Sequence, residues 1–205
     1  MNILRTVGCV VLVSAAGCSI TYNENYDNPI QPFSIEQWQN SASAHKGIIL
    51  LCEELNNVVA ERITQQIVTL DADPAIERIR ILINSNGGYT QAMRHIENAL
   101  HLTTKPVDAI NIGNCYSGAC AILASATGKR MAYPNTHFMI HKPMPAYGGA
   151  RTYDSILTFE TQRYEAILKR DTRFPGDWFP LTEKERFFTP QEALQYGLIH
   201  AIVEP

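Results

Sequence analysis

The chain reads as an α/β domain on a mostly parallel sheet, and three observations predict it. Short β-branched, apolar runs recur at 47–51 (GIILL), 78–84 (RIRILIN), 107–112 (VDAINI) and 137–140 (HFMI). Runs of this kind suit strands buried on both faces. Stretches with apolar residues at helical spacing lie between them, and strands alternating with helices make parallel crossovers with helices covering the sheet. At 205 residues and 45% hydrophobic content, the chain can bury one core of ordinary size.

Residues 1–18 read MNILRTVGCVVLVSAAGC: one arginine, an apolar stretch over 7–16, then Gly17-Cys18. A bilayer span needs about 20 apolar residues, more than this stretch holds. A positive start, a short apolar middle and small residues at the end suit a secretory signal. The ending AAGC resembles a bacterial lipoprotein signal, with Cys18 as the lipid-bearing first residue and Ala15 where that pattern prefers Leu. Ser19 then implies an outer-membrane destination in a Gram-negative cell. An ordinary signal peptide cut nearby and an unprocessed apolar anchor are the alternatives. The expected organisation is a signal over 1–17, a tether over 18–45 and one domain over 46–205. Anchored this way, the protein would face the periplasm.

The tether is polar and turn-rich, with a short helix expected near Ile35–Gln39. After the strand at 47–51, Val58, Val59, Ile63, Ile67 and Leu70 mark a helix. The strand at 78–84 ends in SNGG and leads to a second helix marked by Met93, Ile96 and Leu100. The strand at 107–112 leads to Ser117 and then to ACAILASA, a third helix, before the strand at 137–140.

A net charge of −3, a pI near 6.1 and no basic cluster exclude a nucleic-acid partner. Of five cysteines, Cys9 and Cys18 fall in the signal, leaving Cys52, Cys115 and Cys120. An odd number leaves at least one free thiol in an exported protein. No C-x-x-C occurs and the histidines are scattered, so no metal site is expected. Cys115 and Cys120 read as small buried hydrophobes, and a Cys52–Cys115 bridge stays open.

Two local settings carry chemistry. Ser117, in GNCYSGA (113–119), sits at a strand-to-helix turn beside the free N–H groups of a helix start. His141, in PNTHFMIHKP (134–143), ends a buried strand. Imidazole is the side chain whose ordinary pKa lets it take a hydroxyl proton near neutrality. Gly87-Gly88 ends a third strand, where backbone N–H groups can meet an oxyanion, as can that of Gly118. Taken singly, each is ordinary: a helix cap, a strand-end histidine, a tight turn. Their joint occurrence on strand ends suggests a serine hydrolase.

The motifs resemble those of the proteolytic subunit of the Clp protease and, more distantly, the crotonase-like superfamily. The matching stretches are ILINSNGG (81–88), GNCYSGA (113–119), YPNTHFMIHKP (133–143) and ERFFTPQEALQYGLIH (185–200). The resemblance implies a spiral of repeated β-β-α units over 46–205. It implies Ser117 as nucleophile, His141 as general base, and Gly88 and Gly118 as oxyanion-hole positions. The family's acid falls on Glu185, with Asp171 and Asp177 the other carboxylates in that region. Asn86 stands where the family has Pro, and Gly118 where it has Met. One residue fewer separates Ser117 from His141.

The stretch 150–173 corresponds to the family's long ring-joining helix, with Tyr153, Ile156, Leu157, Tyr164, Ile167 and Leu168 as its apolar stripe. The shorter segment from His141 to Glu185, broken by Pro175-Gly176 and Pro180, argues against ring stacking, while self-association through the stripe is still expected. The tether replaces the family's gating segment, so an ATPase partner is not expected. The resulting expectation is a serine endopeptidase acting on peptides or unfolded proteins, without metal or organic cofactor. The rivals are an inactive scaffold of the same fold and a crotonase-type acyl-thioester enzyme.

Overall fold

Parallel pairing dominates the principal sheet, and it follows from helices that return the chain to the same sheet end after each strand. The computed structural model describes residues 41, 44, 46–144, 154–181 and 184–204, together with the backbone of three short strands nearer the start. Those three, β1 (Arg5–Thr6), β2 (Cys9–Ser14) and β3 (Gly17–Ile20), pair antiparallel in the order β1-β2-β3. They belong to a unit spanning 1–34, separate from the unit spanning 35–205. Residues 9–14 of the expected signal's apolar middle, and Cys18, lie on these strands; the helix expected at 35–39 lies outside the described residues.

The domain proper begins with β4 (Ile48–Leu51), α1 (Asn57–Ala72), β5 (Ile79–Ser85), α2 (Thr90–Leu102) and β6 (Val107–Tyr116). Then come α3 (Gly118–Ala124), β7 (Arg130–Ala132), β8 (His137–Ile140), α4 (Asp154–Asp171) and a 3-10 turn (Gly176–Trp178). The chain finishes with β9 (Arg186–Phe188), α5 (Pro190–Gln195) and β10 (Ala201–Ile202). Strands run in the order β10-β7-β6-β5-β4, every neighbouring pair parallel. Opposite β5, β6 is long enough to serve two partners along its other edge. Ala109–Asn111 pair with β7, and Asn114–Tyr116 pair with β8. β9 adds antiparallel to β8, so the sheet is mostly rather than wholly parallel.

The four predicted strands are present within a residue at each start, and β6 runs four residues beyond the expected end, up to the nucleophile candidate. The sequence predicts no element at β7, β9, α5 or β10. Two or three residues carry no periodicity, so pairing rather than pattern defines such strands.

Helix faces follow their apolar spacing. Asn56 caps α1 by accepting from the Val59 N–H at 2.9 Å, and Val59, Ala60, Ile63, Ile67 and Leu70 are buried. α2 buries Ala92, Met93, Ile96, Ala99 and Leu100. α3 is buried on every side, which its small residues permit. α4 divides the expected stripe. Tyr164, Ile167 and Leu168 enter the core, whereas Ile156 is 56% exposed and Phe159, outside the expected stripe, 57%. Leu157 is half-buried, and Tyr153 lies outside the described residues. Two ion pairs seat α4 on α2: Arg163 donates to Glu97 at 2.6 Å and Arg94 to Glu160 at 2.6 Å, both carboxylates buried.

Cys115 and Cys120 are free and buried while Cys52 is free and exposed, so Cys52 and Cys115 are not bridged. No described helix is long and apolar enough to cross a membrane. Among the described residues no three His, Cys, Asp or Glu side chains cluster as a metal site.

Candidate active site

Ser117 follows the last residue of β6 and precedes the first residue of α3, so the chain must turn from strand to helix within one residue. It does so at φ 51° and ψ −122°, making Ser117 the non-glycine residue with positive φ among those described. Such a conformation costs on the order of 1–3 kcal/mol and persists only where neighbours over-determine it. They do here. The Ser117 N–H donates to the Met139 carbonyl at 2.8 Å, and the Cys120 N–H donates to the Ser117 carbonyl at 2.9 Å. The Tyr164 hydroxyl from α4 donates to the same carbonyl at 2.8 Å.

His141 directly follows β8, which the β6–β8 pairing places beside the end of β6. Its Nε2 lies 2.9 Å from Ser117 Oγ, within the range for proton transfer. The ring is 8% exposed. Burial pushes the imidazole below its ordinary pKa, because removing water penalises the cation; the Glu185 charge and the backbone at Lys142 oppose that shift.

Glu185 directly precedes β9. The β8–β9 ladder runs Phe138↔Phe188, Met139↔Phe187, Ile140↔Arg186. One further step sets His141 opposite Glu185, and side chains of directly opposed residues share a face. The charge of Glu185 reaches the imidazole, but the carboxylate makes no hydrogen bond to it: His141 Nδ1 is buried and unpartnered among the described residues. Ser117 and His141 are therefore assembled, and Glu185 stands beside them unbonded. Asp177 is exposed, with its backbone carbonyl taken by Arg186 at 3.1 Å. The side chain of Asp171 lies outside what is described.

The glycine pair closes the site from β5. Leu55 N–H donates to the Gly87 carbonyl at 2.7 Å and Tyr89 N–H to the Leu55 carbonyl at 2.9 Å. This parallel bridge uses the groups on either side of Gly88, so the N–H of Gly88 itself faces the opposite edge. A Cβ on Gly88 would collide with the Leu55 carbonyl oxygen. A Cβ on Gly87 (φ 86°) would lie 2.7 Å from the Tyr116 carbonyl oxygen, 2.9 Å from the Gly118 nitrogen and 2.9 Å from Ser117 Cβ. Gly87, not singled out from the sequence except as half of a pair, is thus what lets the end of β5 approach the turn at Ser117. Gly118 is buried at the first position of α3, where its N–H has no intrahelical acceptor. A Cβ there would sit 3.0 Å from Leu55 Cδ1; Leu55 occupies space beside the residue that is Met in the resembled family. Asn86 is engaged by Asn114, whose Nδ2 donates to its Oδ1 at 3.2 Å.

A hydroxyl against a neutral imidazole, beside two backbone donors at the carboxyl ends of neighbouring strands, can support acyl transfer. Comparison with known proteins agrees in kind. The pattern of the Clp protease family matches residues 35–205. The chain is 33% identical over 163 residues to the ATP-dependent Clp protease proteolytic subunit 1 of Bacillus cereus, a match covering 77% of this chain and 84% of that one. It is 31% identical over 163 residues to the chloroplastic ATP-dependent Clp protease proteolytic subunit 3 of Arabidopsis thaliana, covering 77% of this chain and 53% of that longer protein. With the family pattern matched over most of its length, and the fold that pattern implies, the chain is a member of the Clp protease family.

Proposed function

We propose that the protein is a serine endopeptidase of the cell envelope that hydrolyses peptides or unfolded chains. The carrying observation is the 2.9 Å approach of His141 Nε2 to Ser117 Oγ at a strained strand-to-helix turn. Family membership supports a peptidase of the serine type.

In this reading Ser117 Oγ attacks the scissile carbonyl carbon while His141 Nε2 takes its proton. The carbonyl π electrons move to oxygen, and the N–H groups of Gly88 and Gly118 meet the charge. Collapse expels the amine, which His141 protonates, leaving an ester on Ser117. Water, deprotonated by His141, attacks that ester and restores the hydroxyl. Glu185 balances the imidazolium once its carboxylate closes on Nδ1, which the register of β8 with β9 supports. Envelope location rests on the leader: Cys18 carries the lipid and the tether holds the domain outside the membrane.

The test is a fluorophosphonate probe, which reacts with a hydroxyl that an adjacent base activates. The wild type should be labelled at Ser117, and Ser117→Ala should be unlabelled, inactive on peptides and folded. A wild type that resists labelling across pH values and assembly states would leave a scaffold of this fold instead.

A further inference from the structure

Oxyanion stabilisation depends on where a backbone N–H points, and at Gly118 that direction is set by the preceding carbonyl. The peptide unit joining Ser117 to Gly118 is planar and trans, so its C=O and N–H point in opposite directions. Whatever holds the Ser117 carbonyl holds the Gly118 N–H. Of the two groups donating to that carbonyl, the Cys120 N–H belongs to the adjoining helical turn and the Tyr164 hydroxyl comes from α4.

We propose that Tyr164 is a positioning residue of the oxyanion hole: its hydroxyl pins the Ser117–Gly118 peptide with the Gly118 N–H turned toward the reacting carbonyl. This rests on the peptidase reading above. The distance is 2.8 Å and the ring is 2% exposed, so no water competes for the bond. Tyr164 itself is held by what surrounds it in α4. Its neighbour Arg163 is tied to Glu97 of α2, and Glu160, one helical turn before, is tied to Arg94. Both ion pairs seat α4 where the hydroxyl meets the carbonyl. Packing alone does not require that hydroxyl, since a phenyl ring would fill the same space. The oxygen is satisfied by one acceptor, and that acceptor is the backbone of the nucleophile. Ser117 is the residue where such a tether matters most, because its φ of 51° is not one it would keep unaided.

The experiment compares Tyr164→Phe with the wild type, since the change removes one oxygen and keeps the ring. Deleting an oxyanion donor outright costs about 10²–10³ in kcat, so loosening one should lower kcat and the rate of fluorophosphonate labelling on the order of tenfold. KM should stay within about twofold and the acidic limb of the pH profile should not move, because a misaligned donor is missed in the transition state and not by the bound substrate. Affinity for a peptide boronate should fall by the same factor as kcat. Amide exchange at Gly118 and Cys120 should quicken. Wild-type kcat and labelling in Tyr164→Phe, or a loss confined to KM, would overturn the proposal while leaving the peptidase intact. If the wild type neither hydrolyses peptides nor takes the probe, it is the peptidase reading that fails. Exchange at Gly118 and Cys120 then decides the peptide-pinning role by itself, unchanged exchange sinking it and faster exchange upholding it.

Discussion

His141 is an uncharged imidazole at neutral pH because burial pushes its pKa below the ordinary value of 6.5. A general base must be neutral to work, so kcat/KM should be flat near pH 7 and fall only as the pH drops through a value below 6.5. Glu185 opposes the shift by favouring the cation. Glu185→Gln should therefore move that acidic limb to still lower pH. It should also lower turnover by about a hundredfold or more, as the imidazolium loses its counter-charge. A pH–rate series on both proteins checks the sign. An upward shift, or none with full turnover, would show that Glu185 does not serve His141.

At the scale of the element, α4 does two jobs that its sequence presents as one stripe. Leu168 is fully buried, so Leu168→Ala should cost about 2–5 kcal/mol, read from the midpoint of denaturant unfolding. Ile156 and Phe159, though apolar, face outward in the single chain. Replacing both by Ser should change stability by no more than about 0.5 kcal/mol each. It should instead reduce self-association, measured by sedimentation, if a second copy covers this end of α4. Unchanged assembly would mean that α4 contributes to the core alone. The β8–β9 pair illustrates the same dependence on context: three residues of β9 are too few to read as a strand, yet they carry Glu185 to the end of the ladder.

For the whole molecule, the candidate site lies at one end of the sheet. Leu55, Gly87, Gly88 and Ser117 gather beyond the carboxyl ends of β4, β5 and β6. If Cys18 carries lipid, the mature protein should partition with membranes and Cys18→Ala should remain as unprocessed precursor in cell fractions. An intact mass including Met1, found in the cytosol, would overturn the envelope location.

Much of this was legible in the sequence for a physical reason: strands buried on both faces and amphipathic helices leave periodic apolar patterns, and strand ends carrying Ser117, Gly88 and His141 follow from them. The chain order of those residues also implied that they meet, since successive parallel strands end on the same side of a sheet. Tertiary structure alone decided the rest. That β6 runs past Ile112 to serve two partners on one edge is settled by pairing with β7 and β8, not by its own pattern. That Tyr164 leaves an apolar stripe to hold the Ser117 carbonyl is settled by the packing of α4 against the turn at Ser117, a contact between residues 47 positions apart in sequence. No local pattern encodes such a contact, because its geometry exists only once two distant elements have packed.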